Sequence, residues 1–498
     1  MIRLLPSLLL LTFALPLHAE VKLSGLFSDH AVLQRGARTP VWGTADPGEK
    51  VTVTFREQRA TATADERGEW RAELANLAVG EPAALTVAGT NTVTINDVLV
   101  GDVWLCSGQS NMAFALNAAE DAEREIAAAN FPLIRHTRLP LRTAETPQRA
   151  VGGKWEVCTP ETAKNFTAVG YFFAREIQAD IGVPIGLINS TWGGTSATGW
   201  MSPEALACDP AVTELWAKTL ADFPAANRKY AEALAAWNAE EAAAKTAGEP
   251  FTKKKPNPPP GAGDRNTPGG LWNGMIAPLV PCALKGILWY QGEQDASKFA
   301  GYRRWFPALI AQWRRDFGQV DLPFLFVQLP NHNSEGANSL SWAGMRGVQA
   351  EALALPNTGM AVTIDVGEDE NVHPKNKQPV GYRLALIAKA KVYGVPVPFE
   401  GPVFGAAAVE GGAMVVRFQR GAKGLAAKAG TLREFQLAGA DRQWKPALAK
   451  IEGETLRVTS AEVPAPVAVR YAWRNGSEAN LYNGDDLPAA PFRSDDWP

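Results

Sequence analysis

The chain has 498 residues, with 49 Lys and Arg against 52 Asp and Glu, and a formal net charge of −3. Such a length exceeds what one hydrophobic core serves and predicts two or three domains. The near-balanced charge gives no reason to expect a nucleic acid or an acidic membrane surface as partner.

The chain opens MIRLLPSLLLLTFALPLHAE. Arg3 supplies a positive start, Leu4 to Leu17 an apolar run, and Leu17-His18-Ala19 a small-residue cleavage site. This pattern reads as a secretory signal peptide over residues 1–19, cut after Ala19. The run is short for a membrane span, and no later stretch approaches about 18 unbroken apolar residues. The expectation is a mature protein free of the membrane, periplasmic or secreted.

Residues 20–97 read as a β module. Turn signals fall at Thr39–Gly43 and Ala45–Gly48, and Lys50–Phe55 and Leu85–Ile95 alternate apolar and polar side chains in part. Strands punctuated every ten or so residues predict a small antiparallel sandwich. From about residue 98 the texture changes. Strand-like runs at Val103–Cys106, Ile185–Asn189, Gly286–Tyr290, Pro323–Leu329 and Met360–Asp365 alternate with helical spacing over Asn165–Ile181, Tyr302–Phe317 and Pro379–Tyr393. Apolar strands alternating with helices predict an α/β domain, residues 98–395, whose parallel sheet is covered on both faces. Residues 205–267 interrupt it: Asp209–Ala247 reads helical, and KKKPNPPPGAGDRNTPGG reads as an exposed linker. Residues 396–498 return to β texture, predicting a second sandwich-like module. Of the four cysteines, Cys106 and Cys282 lie in or beside strands and read as small buried hydrophobes. The absence of any CxxC pair argues against a zinc site, while an exported chain has room for one or two disulfides.

Chemistry in such a sheet belongs at the carboxyl ends of its strands, and four of them carry polar knots. The first is Gly108-Gln109-Ser110-Asn111-Met112. A serine at a strand-to-helix turn presents its hydroxyl near free backbone N–H groups, as a nucleophile needs, although a capping serine makes the same pattern. The second is Asn189–Thr195, where Gly193 and Gly194 let backbone amides approach a ligand. The third is Trp289-Tyr290-Gln291-Gly292-Glu293; the Gln291 amide is a potential oxyanion donor, and Glu293 a base or an orienting acid. The fourth is Asp365–Pro374, which carries His373 behind a run of carboxylates. A serine nucleophile needs a base that titrates near neutrality. Of His30, His136, His332 and His373, only His373 has acids before it and a helix after it.

Together GQSNM, the Trp-Gly-Gly-Thr turn, WYQGE and the HPKNKQ helix start resemble the sialate O-acetylesterase family of the SGNH-type esterases. The likeness extends to LFSDHAVLQR at 26–35, LWNGMIAPLVP at 271–281, and the closing RYAWRNGSEANLY and LPAAPFR segments. The resemblance implies an SGNH-like three-layer α/β core and a serine esterase needing no metal or cofactor. It implies Ser110 as nucleophile, His373 as base, and Ser110, Gly193, Gly194 and Gln291 around the oxyanion. Where the wider superfamily places Asp three residues before His, this chain has Glu370, so Asp365, Asp369 and Glu293 stand beside it as alternative acids, and a Ser–His dyad as another. The implied substrate is an O-acetylated sugar or glycan, either sialic acid or a plant polysaccharide such as xylan; a carbohydrate-binding protein without activity is the reading from another class. A sialate carboxylate would call for an arginine, for which Arg346 is the candidate, with Trp192 available to stack on a sugar face.

Overall fold

The computed structural model describes residues 20–333 and 339–497, and the leader expected over residues 1–19 lies outside them. The N-terminal strands are β1 (Lys22–Leu23), β2 (Val32–Gln34), β3 (Arg38–Thr44), β4 (Lys50–Phe55), β5 (Gln58–Thr63), β6 (Glu69–Ala75), β7 (Ala83–Ala88) and β8 (Thr92–Gly108). β1, β3 and β6 form one antiparallel sheet, and β5, β4, β7 and the start of β8 pair in that order as a second. Alternate residues turn inward from each: Val41, Trp70, Ala72 and Leu74 from the first, Val51, Val53, Phe55, Leu85 and Val87 from the second. The expected single run Leu85–Ile95 is instead a hairpin, with Leu85 paired to Ile95 across a turn at residues 89–91. Both arms keep a period of two, so alternation alone does not reveal the reversal.

Texture changes near residue 98 without a linker. β8 runs straight through, antiparallel to β7 at first, then parallel to β2, then at the centre of the large sheet. The boundary is a change of partners along one strand. Asp102, fully buried on β8, accepts a bidentate pair from Arg35 at 2.9 Å and the Tyr393 hydroxyl at 2.9 Å. This carboxylate therefore ties the N-terminal strands to the far end of the α/β unit, with its charge matched by a guanidinium.

The large sheet adds β9 (Phe131–Arg138), β10 (Trp155–Cys158), β11 (Ile185–Thr191), β12 (Gly286–Tyr290), β13 (Phe324–Val327) and β14 (Thr358–Ala361). Its order is β10-β9-β11-β8-β12-β13-β14, parallel throughout except for β10 against β9. Every residue of β11, β12 and β13 is buried, as a sheet covered on both faces requires. Trp104 of β8 packs edge-on to Phe173 of the helix Ala168–Ile181, on one face. Trp289 of β12 packs against Phe306 and Trp313 of the helix Phe299–Asp316. Since Trp289 is in register with Ser107, three residues from Trp104, it faces the opposite side.

Local signals set the helix ends. Thr167 caps the helix Ala168–Ile181 by accepting from the Gly170 N–H, and Gly182 stops it with φ of 71°. The inserted helix spans Pro210–Ala247, about 57 Å at 1.5 Å per residue. Only Trp237 is buried along it, where the returning Pro-rich segment folds back: the indole donates to the Lys253 carbonyl, and Lys255 lies 5.6 Å over its ring.

The C-terminal part differs from the expected sandwich. Seven antiparallel strands lie on one hydrogen-bonded path, from Val403–Glu410 at one edge to Phe492–Arg493 at the other. Its inward face carries its own core, including Met414, Val416, Phe435, Leu456, Val469, Tyr471 and Phe492. Short strands and Gly/Pro turns suit one curled sheet as well as two stacked ones, which is why composition does not separate them. All four cysteines are unpaired. Burial pushes the Cys106, Cys158 and Cys282 thiols up to about 12, so these behave as inert apolar groups.

Candidate active site

β8 has β11 on one side and β12 on the other, and the chain winds outward from it in both directions. That reversal opens a crevice at the carboxyl ends of the central strands. Ser110 follows β8, the 192–195 turn follows β11, residues 291–295 follow β12, residues 328–332 follow β13 and the His373 loop follows β14. All four sequence knots therefore face one edge.

Gly108 ends β8 with φ of 123°, and a Cβ there would lie 2.2 Å from the Tyr290 carbonyl oxygen. Only glycine lets β8 and β12 stay this close while the chain turns. The half-buried Ser110 then starts the short helix Ser110–Ala113. Its Oγ lies 2.8 Å from Nε2 of His373, a residue 263 positions away in sequence. The other histidines are elsewhere. His30 pairs with Asp97. His136 is buried against Phe166, and desolvation drives it down to about 3. The His332 ring lies tilted 4.8 Å from that of Trp342, and no hydrogen bond joins it to Ser110 among the described residues.

The His373 pKa is lowered from its usual range, first by burial, then by the Lys377 ammonium and by His332. The ring therefore stays neutral, able to accept a proton, to lower pH than a free histidine. Among the described residues, no acid hydrogen-bonds to its other nitrogen. Glu370, the expected partner, is exposed and does not bond to His373. The alternative acids are engaged elsewhere: Asp365 with Arg383 and Tyr482, Asp369 with Asn331, and Glu293 with Asn111. The loop holds His373 by its main chain instead. Asn371 Oδ1 accepts the His373 N–H at 3.0 Å, and Asn371 Nδ2 donates to the His373 carbonyl.

Beneath the pair lies a buried polar bridge. Asn111 donates to Glu293 Oε1 at 2.5 Å and to the Val372 carbonyl at 2.9 Å, and accepts from Lys377 Nζ at 2.6 Å. One side chain thus couples the serine turn to the residue before His373. Burial pulls Lys377 down to about 7 and raises the Glu293 carboxyl, each being costly to charge out of water.

Gly193 sits against the serine: a Cβ there would lie 3.3 Å from Ser110 Cβ. The N–H groups of Ser110, Gly193 and Gly194 donate to no acceptor among the described residues. Gln291 is placed differently from an oxyanion donor. Fully buried, it gives its amide hydrogens to the Thr195 carbonyl at 3.1 Å and Asp295 Oδ2 at 2.7 Å. Asp295 also accepts the Ala197 N–H, so Gln291 and Asp295 together brace the glycine turn from below. Arg346 is likewise not a ligand group. It is fully buried, donates to the carbonyls of Pro330, Arg474 and Asn475, and is pulled by burial down to about 9. It clasps the C-terminal sheet to the His332 loop. Trp192, beside Gly193, is half-buried and packs in part against the main core. No three His, Cys, Asp or Glu side chains among the described residues form a metal-binding group.

Local pattern gives no signal for the roles of Lys377 or Asp295. Lys377 lies four residues after His373 at the start of the helix Gln378–Lys391, and only the fold shows that it points inward.

The description "Carbohydrate esterase, sialic acid-specific acetylesterase" fits residues 272–388, which contain Gln291 and His373. The sialate O-acetylesterase of Rattus norvegicus is 32% identical over 422 residues, covering 77% of this chain and 76% of its own. That of Homo sapiens is 30% identical over 516 residues, covering 93% and 90%. A solved carbohydrate acetylesterase from Xanthomonas citri superposes with a TM-score of 0.82 at 39% identity, covering 96% of this chain and 100% of its own. A parallel-sheet crevice holding a paired serine and histidine, with these likenesses, defines a carboxylic ester hydrolase acting on O-acetylated sugars. Within that class the chain belongs to the sialate O-acetylesterase family.

Proposed function

We propose that Ser110 is the nucleophile and His373 its general base, acting as a dyad on an acetyl ester of a sialic-acid-type sugar. The observation that carries this reading is the 2.8 Å contact between Ser110 Oγ and His373 Nε2 at the switch point of the sheet. His373 takes the hydroxyl proton as Oγ bonds to the acetyl carbonyl carbon. The resulting oxyanion is met by the Ser110 N–H and the amides of the glycine turn. Collapse breaks the bond to the sugar oxygen, which leaves with the proton from His373. Water, deprotonated by His373, then hydrolyses the acetyl-enzyme and releases acetate. Gln291 and Asp295 hold the turn in place and do not touch the substrate. The core around this site is read as SGNH-like, and residues 1–19 as a leader removed on export to the periplasm or beyond.

Purified protein should release acetate from O-acetylated sialic acid and hydrolyse p-nitrophenyl acetate, and Ser110→Ala should abolish both. A parent protein inactive on every acetyl ester would sink this reading in favour of a carbohydrate-binding role. Faster turnover of acetylated xylo-oligosaccharides than of the sialate would move the substrate to plant polysaccharide. N-terminal sequencing of exported protein should begin at Glu20.

A further inference from the structure

Arg265 lies within the Pro/Gly-rich return of the insertion, far in sequence from every knot of the site. Its guanidinium is laid on the glycine turn. Nη2, Cζ and Nε lie 3.3, 3.4 and 3.6 Å from where a Gly194 Cβ would be, so the group rests face-on over Gly194. The adjacent Gly193 presses on Ser110. Arginine and nucleophile therefore contact neighbouring glycines, whose Cα atoms are about 3.8 Å apart. With φ of 69° at Gly194, a side chain there would be strained as well as obstructive.

The segment carrying Arg265 is fixed. Asn266 accepts the Ser196 N–H at 2.8 Å and donates to the Gly194 carbonyl at 3.2 Å. Asp264 Oδ1 accepts the Asn266 N–H, and the Gly263 carbonyl accepts from Thr143. The guanidinium itself is different. It is exposed and meets no acceptor among the described residues, whereas Arg303 is paired with Glu351, Arg304 with Asp209, and Arg346 with three carbonyls. An anchored, unpaired guanidinium on the glycine next to the one that lies against the nucleophile is a ready fork for a carboxylate.

We infer that Arg265 is the specificity residue that binds the carboxylate of an acidic O-acetylated sugar while its acetyl carbonyl lies on Ser110. The inference rests on the esterase reading above and deepens it. The carboxylate chemistry fits a sialic acid or a uronic acid carried by a polysaccharide.

The test compares kcat/KM for an O-acetylated sialic acid with that for the same sugar bearing an amide in place of its carboxylate. A second arm repeats the pair with acetylated glucuronoxylan oligosaccharides and their amides. Wild type should favour the acid by about 10–100-fold, the range of a charge-assisted hydrogen-bonded pair, in whichever arm holds the true substrate. Arg265→Gln should bring that ratio close to one, and Arg265→Lys should recover part of it. A variant that lowers acid and amide alike marks a structural role and overturns the inference, as does wild type that turns over both arms without preferring either acid. Wild type without p-nitrophenyl acetate turnover overturns the esterase reading itself, and the inference with it.

Discussion

Two groups of carboxylates stand near His373, and they are built in opposite ways. Glu368, Asp369 and Glu370 precede it on an exposed loop. There Glu368 caps Lys375 and Asn371, Asp369 meets Asn331, and none bonds to the imidazole. Glu293 and Asp295 come from a different strand end, Asp295 fully buried and Glu293 half-buried with its Oε2 shielded from solvent, and act through Asn111 and Gln291 on the serine turn and the glycine turn. Proximity in sequence singles out the first group, whereas burial singles out the second. An exposed carboxylate keeps its water and is worth little as a partner. A buried one forces the groups around it into a single arrangement, because leaving any of them unpaired is costly. The second group thus fixes geometry that the first, adjacent in sequence, does not.

The sharpest measure of this contrast is the pair that both groups surround. His373→Ala should reduce kcat on p-nitrophenyl acetate by on the order of 10⁴–10⁶, as losing the base of a Ser–His unit does. A fall of less than about tenfold would show that Ser110 is activated by something else.

Next in size is Asn111→Ala. It strips Lys377 and Glu293 of their shared partner and uncouples Ser110 from the Val372 carbonyl. Breaking a buried charged network should cost about 2–4 kcal/mol, read as an earlier urea midpoint of the α/β unit, together with a lower kcat. A variant with parental midpoint and kcat would place the geometry in the exposed loop after all.

Ser110, the glycine turn and His373 were legible in the sequence because each lies in a short polar knot at the end of an apolar strand. Their convergence followed from the parallel sheet. The residues joining them were not legible. Asn111 resembles any residue of a turn, Lys377 any lysine at a helix start, and Arg265 any charge in a linker; only the packing of β8 against β12 and of the insertion over the glycine turn gives them roles. Arg346 failed in the opposite direction. It was the arginine candidate for a substrate carboxylate, but it is fully buried and its guanidinium is spent on the carbonyls of Pro330, Arg474 and Asn475. The β texture of the N-terminal part was legible but not its strands one by one: Thr39–Gly43, read as a turn from its Pro and Gly, is the body of β3 paired with β6, residues 85–95 hide a hairpin, and β8 continues unbroken, since a strand that changes partners has no punctuation.

The buried side of the comparison also has a pH signature. Lys377 holds its proton with a pKa of about 7 in the fold against 10.5 when free. Between those values the unfolded chain binds more protons, so this group makes stability rise with pH across about 7 to 10.5. Lys377→Met should flatten that rise. Because the ammonium also holds the His373 pKa down, the same variant should shift the acid limb of kcat/KM to higher pH. An unchanged acid limb would remove Lys377 from the electrostatics of the base.

The smallest expected effect is the most direct test of the exposed group. Glu370→Gln keeps shape and hydrogen-bonding capacity and removes only the charge. If Glu370 oriented His373, the imidazolium formed during attack would lose its counter-charge, and kcat would fall by on the order of 10⁴, as in triads whose acid becomes an amide. With an exposed Glu370 and no contact to the imidazole, kcat should instead change by less than about threefold, the scale of an exposed charge interaction. The two expectations differ by orders of magnitude, so one pair of rate measurements separates a dyad held from below from a triad completed in solvent.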